Sequence, residues 1–327
     1  MFDFSLFMQS QSTDGETTPK PTFLSNCPTL YETGKNDHIF HLQISETDKC
    51  IGIFDGDGKH AKDFANTAGN FIMESLNDEW AKIRSLVITK NYSEVRSILN
   101  GIFDMTDEYL DIRLSNEPGG TSVLVIGFIN NEHSFVANIG NVACVLYKED
   151  GTIEYLWEEH VADNINEWER YCRTVSASKR KQFIYNRINV TDDKGNALGP
   201  SINTTKYKTK PIPIFEFKNN TPTVIRENID LMRNILPLGG NETVRNNLVT
   251  DANGVTSVRE GLEHKNTGAT VDGYIKLTRT LGHFKIKNRC HLNAKPYVAF
   301  YPIENNGTYV IGTDGFFNLW NYEKIVN

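Results

Sequence analysis

Cys50-Ile51-Gly52-Ile53-Phe54-Asp55-Gly56-Asp57-Gly58 is an apolar run that ends in a double Asp-Gly turn, and Tyr309-Val310-Ile311-Gly312-Thr313-Asp314-Gly315 repeats the pattern far along the chain. An uninterrupted apolar run of this length, closed by Gly, reads as a buried strand. Each carboxylate then stands where a rigid strand meets solvent. The Gly that follows lets the backbone carbonyl turn toward a hard cation such as Mg²⁺ or Mn²⁺. A single Asp-Gly is among the commonest turn dipeptides and by itself reads as a plain β-turn. Two in the same context, with further motifs between them, carry more weight.

Outward from the first run, Phe40, Leu42 and Ile44 alternate with polar neighbours and predict a strand antiparallel to Cys50–Phe54. From Lys59 to Trp80 the period changes to that of a helix, with Phe64, Ala65, Ala68, Phe71, Ile72 and Leu76 on one stripe. A second helix is expected from a Ser93 N-cap to about Leu114. Thr121 to Trp157 reads as strands broken by turns at Asn130-Asn131, Gly140-Asn141 and Asp150-Gly151. The pattern suits a sheet sandwich with helices packed outside. Residues 1–30 are expected to be a flexible N-terminal lead-in, and 31–327 a single domain.

Between the two Asp-Gly turns lie Gly119-Gly120-Thr121-Ser122, then Phe135-Val136-Ala137-Asn138-Ile139-Gly140-Asn141, then Leu277-Thr278-Arg279-Thr280-Leu281-Gly282-His283-Phe284. In this order the series resembles the metal-dependent protein phosphatases of type 2C. Their signatures run as an FDGHGG-like turn, a G-[ST]-T-A strand, a VGD-[ST]-R hairpin, an SRALGD-like segment and an SDG turn. Trp157-Glu158-Glu159-His160-Val161-Ala162-Asp163-Asn164, with Glu167 and Glu169-Arg170 beyond, is similar to a further family passage. The resemblance implies an α+β fold of two antiparallel β-sheets packed as a central sandwich with helices on the outer faces. Residues at about 171–235, which have no counterpart in the core of the resembled family, are expected to be a long insertion. The resemblance also implies two divalent cations, Mg²⁺ or Mn²⁺, holding a water that attacks a phosphoserine or phosphothreonine monoester. Asp55 matches the bridging carboxylate, Gly56 the carbonyl ligand and Asp314 the carboxylate from the other sheet.

The departures gather at the chemistry. Asp57 stands in the place of the His proposed to protonate the leaving group, and a carboxylate beside cations stays ionised. His60 either takes over that role or caps the helix in solvent. Asp37 is the nearest match to an acidic ligand, Asn36 stands at the adjacent acidic position, and Glu32 falls where a phosphate-binding Arg is expected. Asn141 and Asn318 replace two carboxylates of a further metal position, and amides bind hard cations more weakly. Gly282-His283 replaces Gly-Asp, a change read as a loop cap. Family members also continue to an Asp-Asn pair and a final core strand, whereas Asn327 stands thirteen residues after Asp314. That implies a missing ligand and an open sheet edge for another segment, or a longer chain that restores both. The expected function is a catalytically impaired pseudophosphatase that acts by binding a protein. The alternative is an active, divergent Mg²⁺/Mn²⁺-dependent serine/threonine phosphatase acting on a phosphoprotein.

Composition sets outer limits. The 327 residues carry a net charge of −7, which opposes general nucleic-acid binding. The charge is uneven: residues 171–235 hold twelve Lys/Arg against five Asp/Glu, a basic arm read as a solvated loop or a docking element. No apolar run is long enough to span a bilayer, and the apolar Met1–Met8 lacks a basic leader. Five scattered cysteines without a Cys-x-x-Cys pair fit reduced thiols in an intracellular protein that is not secreted, in cytoplasm or nucleus.

Overall fold

The computed structural model describes residues 5–9, 36–188, 209–218, 221–226, 248–250, 256–258, 269–303 and 307–314. Strands β1 to β7 are Ser5–Gln9, His38–Gln43, Lys49–Gly58, Gly119–Ile129, His133–Ile139, Ala143–Tyr147 and Ile153–Tyr155. Strands β8 to β13 are Phe183–Ile188, Thr209–Pro213, Phe215–Lys218, Thr221–Val224, Leu248–Thr250 and Thr256–Val258, and β14 to β17 are Ala269–Val271, Leu281–Gly282, Tyr297–Pro302 and Thr308–Gly312. The helices are α1 (Ala61–Ile88), α2 (Tyr92–Leu114), α3 (Ile165–Thr174) and a short α4 (Phe284–Cys290).

A larger antiparallel sheet runs β16-β5-β4-β3-β2, with β15 paired to β4, and a smaller one runs β1-β17-β6-β7. The strand period of two explains how they pack. Ile51, Ile53, Leu124, Ile126, Phe128 and Val136 point inward and meet Cys144, Leu146, Tyr309 and Ile311 of the smaller sheet. Their neighbours Cys50, Phe54, Val123, Val125, Phe135 and Ala137 point the other way, into the core under α1 and α2. The central strand β4 is therefore buried along its whole length, which is why it reads as a continuous apolar run. The fold is the expected α+β sandwich of two antiparallel sheets, with α1 and α2 covering the outer face of the larger one.

Local differences have physical reasons. The first helix runs eight residues past Trp80, because Ile83 and Val87 keep its apolar stripe buried. The second is capped at Asn91 rather than Ser93, whose hydroxyl donates to Asn91 Oδ1. All three expected turns are present, with Asn130, Asn131, Gly140 and Gly151 at positive φ.

Two expectations need correction. Within residues 1–30, taken as a flexible lead-in, Ser5–Gln9 forms β1 and pairs antiparallel with β17, so the open edge left for another segment or a partner is met by this chain's own strand. The basic arm 171–235 is not simply a solvated loop. Its β8 and β9 form a three-stranded sheet with β14, and Phe183, Ile214 and Phe215 pack with Trp168 and Tyr171 in a separate apolar cluster. Large aromatic side chains outweigh the local charge there. The Lys206–Lys208 part of the basic stretch lies outside the described residues.

Candidate functional site

The register of β3 on β4 sets Asp55 opposite Ser122, Gly56 opposite Thr121 and Asp57 opposite Gly120. Thr121 Oγ1 donates to the Asp55 carbonyl at 3.0 Å. Gly56 is wedged: a Cβ there would lie 2.4 Å from the Ala61 carbonyl oxygen and 2.5 Å from that of Asn36. Asp314 follows directly on β17, and the β5–β6 turn delivers Asn141 beside it. These residues line one cleft of ≈ 410 Å³, together with Ser122, Lys276 and His283 and an apolar wall that includes Tyr274, Ile275, Leu277 and Ile286. The two distant Asp-Gly turns thus meet because the sandwich brings the ends of β3 and β17 together.

One hydrogen-bonded chain crosses the cleft floor. Ser122 Oγ donates to Asn141 Oδ1 at 2.9 Å, which turns the Asn141 amide so that Nδ2 donates to Asp314 Oδ2, also at 2.9 Å. Gly140, at φ 87, makes room for this, since a Cβ there would sit 2.1 Å from Ser122 Oγ. The Asp314 carboxylate is therefore bonded by an amide of the protein itself.

His283 stands opposite. Its Nε2 lies 3.3 Å from Asp57 Oδ2 as an ion-pair contact, and the side chain is 8% exposed against 66% for Asp57. The backbone that holds the ring is unusual: His283 has φ 49, in the left-handed region that non-Gly residues rarely adopt. Its N–H donates to the Gly119 carbonyl at 2.7 Å, and Gly120 admits the ring, for a Cβ there would be 2.3 Å from His283 Cδ2. Next to it, Gly282 N–H donates to Asp107 Oδ1, which also accepts from Lys287 Nζ at 2.6 Å, tying the segment to α2. The imidazole, with a smaller contribution from Lys276, holds the Asp57 carboxyl below the usual range.

Beneath the wall lies a second polar group. Glu167 on α3 is fully buried and accepts from Arg279 Nη2 at 2.5 Å, Arg170 Nε at 3.0 Å and Thr278 Oγ1 at 2.5 Å. Burial alone would raise its pKa, but these donors prevail and bring it to about 2. His160, also fully buried, accepts the Gly140 N–H at Nδ1, and burial followed by the nearby Arg279 keeps its pKa well below the ordinary value.

Of the candidates from the sequence, Asp55, Gly56, Asp57, Asn141 and Asp314 share the cleft, whereas Asp37, just before β2, does not contribute to its lining. Asn318 and Glu32 lie outside the described residues. His60 begins α1 with Nε2 2.8 Å from Glu117 and takes no part in the lining. His283, read as a loop cap, stands at the N-cap position of α4 and also lines the cleft. The missed signal was paired: the family motifs carry His where Asp57 stands and Asp where His283 stands, and these two positions face each other. With Asn141 in the place of a carboxylate and its amide bonded to Asp314 Oδ2, the lining offers fewer charged oxygens to a pair of cations. Among the described residues, no group of three His, Cys, Asp or Glu side chains is arranged to hold a metal ion.

Residues 38–191 match the family model described as Protein phosphatase 2C. No curated protein matches the sequence. Among solved structures, the chain is similar to a sex-determining protein of C. elegans at 15% identity and TM-score 0.44, covering 90% of this chain and 56% of that one. A phosphatase from Toxoplasma gondii is similar at 15% identity and TM-score 0.47, over 86% of this chain and 68% of that one. A serine-threonine phosphatase 2C from the same organism is similar at 10% identity and TM-score 0.49, over 99% and 86%. The chain thus spans little more than half the length of the first of these structures.

Proposed function

Starting from a chain that carries a divergent protein phosphatase 2C-like domain, we propose that it is a pseudophosphatase: it keeps the scaffold, holds a divalent cation weakly or not at all, and acts by binding a protein. The observation that carries this reading is the Asn141 Nδ2 bond to Asp314 Oδ2. A carboxylate oxygen that accepts this amide hydrogen bond has one lone pair directed at a proton rather than at a cation. An Asn there also supplies no charge to attract a cation.

The proton donor is weakened as well. Asp57 is kept ionised by its imidazole neighbour and is a poor acid near neutral pH. An intracellular setting goes with this reading, supported by four buried free thiols, Cys50, Cys144, Cys172 and Cys290. Among the described residues no helix is long and apolar enough to cross a membrane.

The test is hydrolysis of p-nitrophenyl phosphate with excess Mn²⁺ from pH 5 to 9. No turnover above the blank is expected, and turnover that disappears in Asp55→Ala overturns the proposal. One observation favours a second reading, an active Mg²⁺/Mn²⁺-dependent serine/threonine phosphatase: Asp55, Gly56 and Asp314 open on the same cleft. Calorimetry separates the two. Two cations bound at micromolar strength and lost in Asp314→Asn would establish the second.

A further inference from the structure

We propose that the outer face of α2 is the docking surface for the partner protein, and that the partner lays a basic amphipathic helix along it. The inference rests on the pseudophosphatase reading, which requires a surface that binds a protein.

The helix period gives the first observation. Val95, Leu99, Ile102, Phe103 and Leu110 of α2 turn into the core against the larger sheet. Met105, Tyr109 and Ile112, at i, i+4 and i+7, form a second apolar row that does not. Ile112 is 83% exposed and Met105 50% exposed, while Tyr109 stacks on Phe71 of α1 with ring centroids 4.8 Å apart. Apolar side chains scattered singly over a surface are ordinary, but a row along two helical turns is surface of the kind that interfaces cover.

The second observation is a glycine. Gly101 lies inside α2, and apart from the helix's own backbone nothing stands within 4 Å of where its Cβ would be. The fold therefore does not exclude a side chain there, although a glycine inside a helix weakens it relative to alanine. Gly101, Met105, Glu108 and Ile112 follow one another at i, i+4, i+7 and i+11, so the bare backbone opens on the exposed face. A second helix can approach closely at such a point.

Charge selects the occupant. Asp104, Glu108 and Asp111 form an exposed row beside the apolar one, and none of them has an ion pair among the described residues. Asp107, between them, is bound to Lys287 at 2.6 Å, and that buried ammonium also feels Asp111 and Asp104. With Lys287 and with Arg113, which lies over the Tyr109 ring, four carboxylates are set against two cations, a formal −2. A second copy of this chain would bring the same acids against one another, and an anionic membrane would be repelled. An apolar row beside an acidic row is the complement of a helix that carries apolar anchors beside lysine or arginine.

The experiment follows backbone amide signals of the full chain during titration with a synthetic helix of leucine and lysine in amphipathic order. The same composition, shuffled so that no apolar face forms, and the leucine–glutamate counterpart serve as controls. The basic amphipathic helix should shift the signals of Gly101, Asp104, Met105, Glu108 and Ile112 and bind at least tenfold more tightly than either control. Gly101→Leu, whose side chain enters open space, should weaken it at least tenfold while the thermal midpoint holds or rises. Ile112→Ser, at an exposed position that does not threaten folding, should weaken it severalfold. Absence of shifts on α2, equal binding of the shuffled peptide, or full affinity in Gly101→Leu would each overturn the proposal. Dimerisation of the chain alone that Ile112→Ser abolishes would also overturn it and give the face to a second copy. Failure here is distinguishable from failure of the function it rests on. Turnover of p-nitrophenyl phosphate removes the pseudophosphatase, whereas an inactive protein whose α2 ignores the basic helix removes only this docking surface.

Discussion

Two groups of acidic side chains sit back to back across the segment Ile275–Arg279, and they are balanced in opposite ways. On one side, Lys276 and Leu277 face the cleft, where three carboxylates meet one ammonium and an imidazole. On the other, Thr278 and Arg279 turn inward to Glu167, where one carboxylate is met by two arginines and a hydroxyl. The buried group is supplied with donors from its own fold and acts as a structural tie between α3 and the strand-like segment. The cleft group lies at an opening, with Asp57 beside His283 and Asp314 bonded by Asn141. An acid whose partners all come from the core holds a fold together, whereas carboxylates gathered at an opening are candidates for a functional site.

The largest effect should come from removing the tie. Glu167→Ala leaves Arg279 and Arg170 facing each other without their anion and should cost about 3–5 kcal/mol in denaturant unfolding. A loss below about 1 kcal/mol would show that the buried group is no more structural than the cleft.

Acid should reach the same group in two stages. His160 has a folded pKa below its unfolded value, so its contribution to stability is present above about pH 6.5 and is lost as pH falls below it. Glu167, depressed to about 2, contributes fully above about pH 4.5 and loses that contribution on the way down to 2. Each proton taken up gives a slope of up to about 1.4 kcal/mol per pH unit. Unfolding midpoints measured from pH 8 to 3 should therefore begin to fall below about pH 6.5 and fall more steeply below about 4.5, and His160→Asn should flatten the upper range and leave the steeper fall below 4.5 in place.

On the cleft side the effects should be smaller and should depend on ions. Asn141→Asp sets a carboxylate against Asp314 in place of the amide that now bonds it, and should cost about 1 kcal/mol in chelator. Millimolar Mn²⁺ should restore that loss and leave the unaltered protein little changed, as thermal unfolding with and without the ion will show. The least effect is expected of Asp57→Asn, which changes an exposed carboxylate in the negative cluster and should stay within about 0.5 kcal/mol. A larger loss would mean that the Asp57–His283 pair is itself structural.

Much of this architecture was legible in the chain. The apolar runs at Cys50–Phe54 and Tyr309–Gly312 gave buried strands, and Asn130-Asn131, Gly140-Asn141 and Asp150-Gly151 gave the turns between them, because strand period and positive-φ turn residues are local properties. The β1 strand was not read, although Phe2, Phe4 and Leu6 alternate with Asp3 and Ser5. Nothing local tells a strand of five residues that β17 is its partner. The folded part of the basic arm was missed because its charges hid Phe183 and Phe215, whose contacts lie with Trp168.

The motif order alone singled out Asp55 and Asp314 as matches to the resembled family's motifs and Asn141, Asp57 and His283 as departures from them. Only the tertiary structure decided what those departures do: Asn141 donates to Asp314, and His283 stands against Asp57 in the same cleft. The reason is distance along the chain. Periodicity and turn propensity act over a few residues, whereas an amide reaching across 173 positions and an imidazole facing a carboxylate exist only once two sheets have packed and β15 has paired with β4.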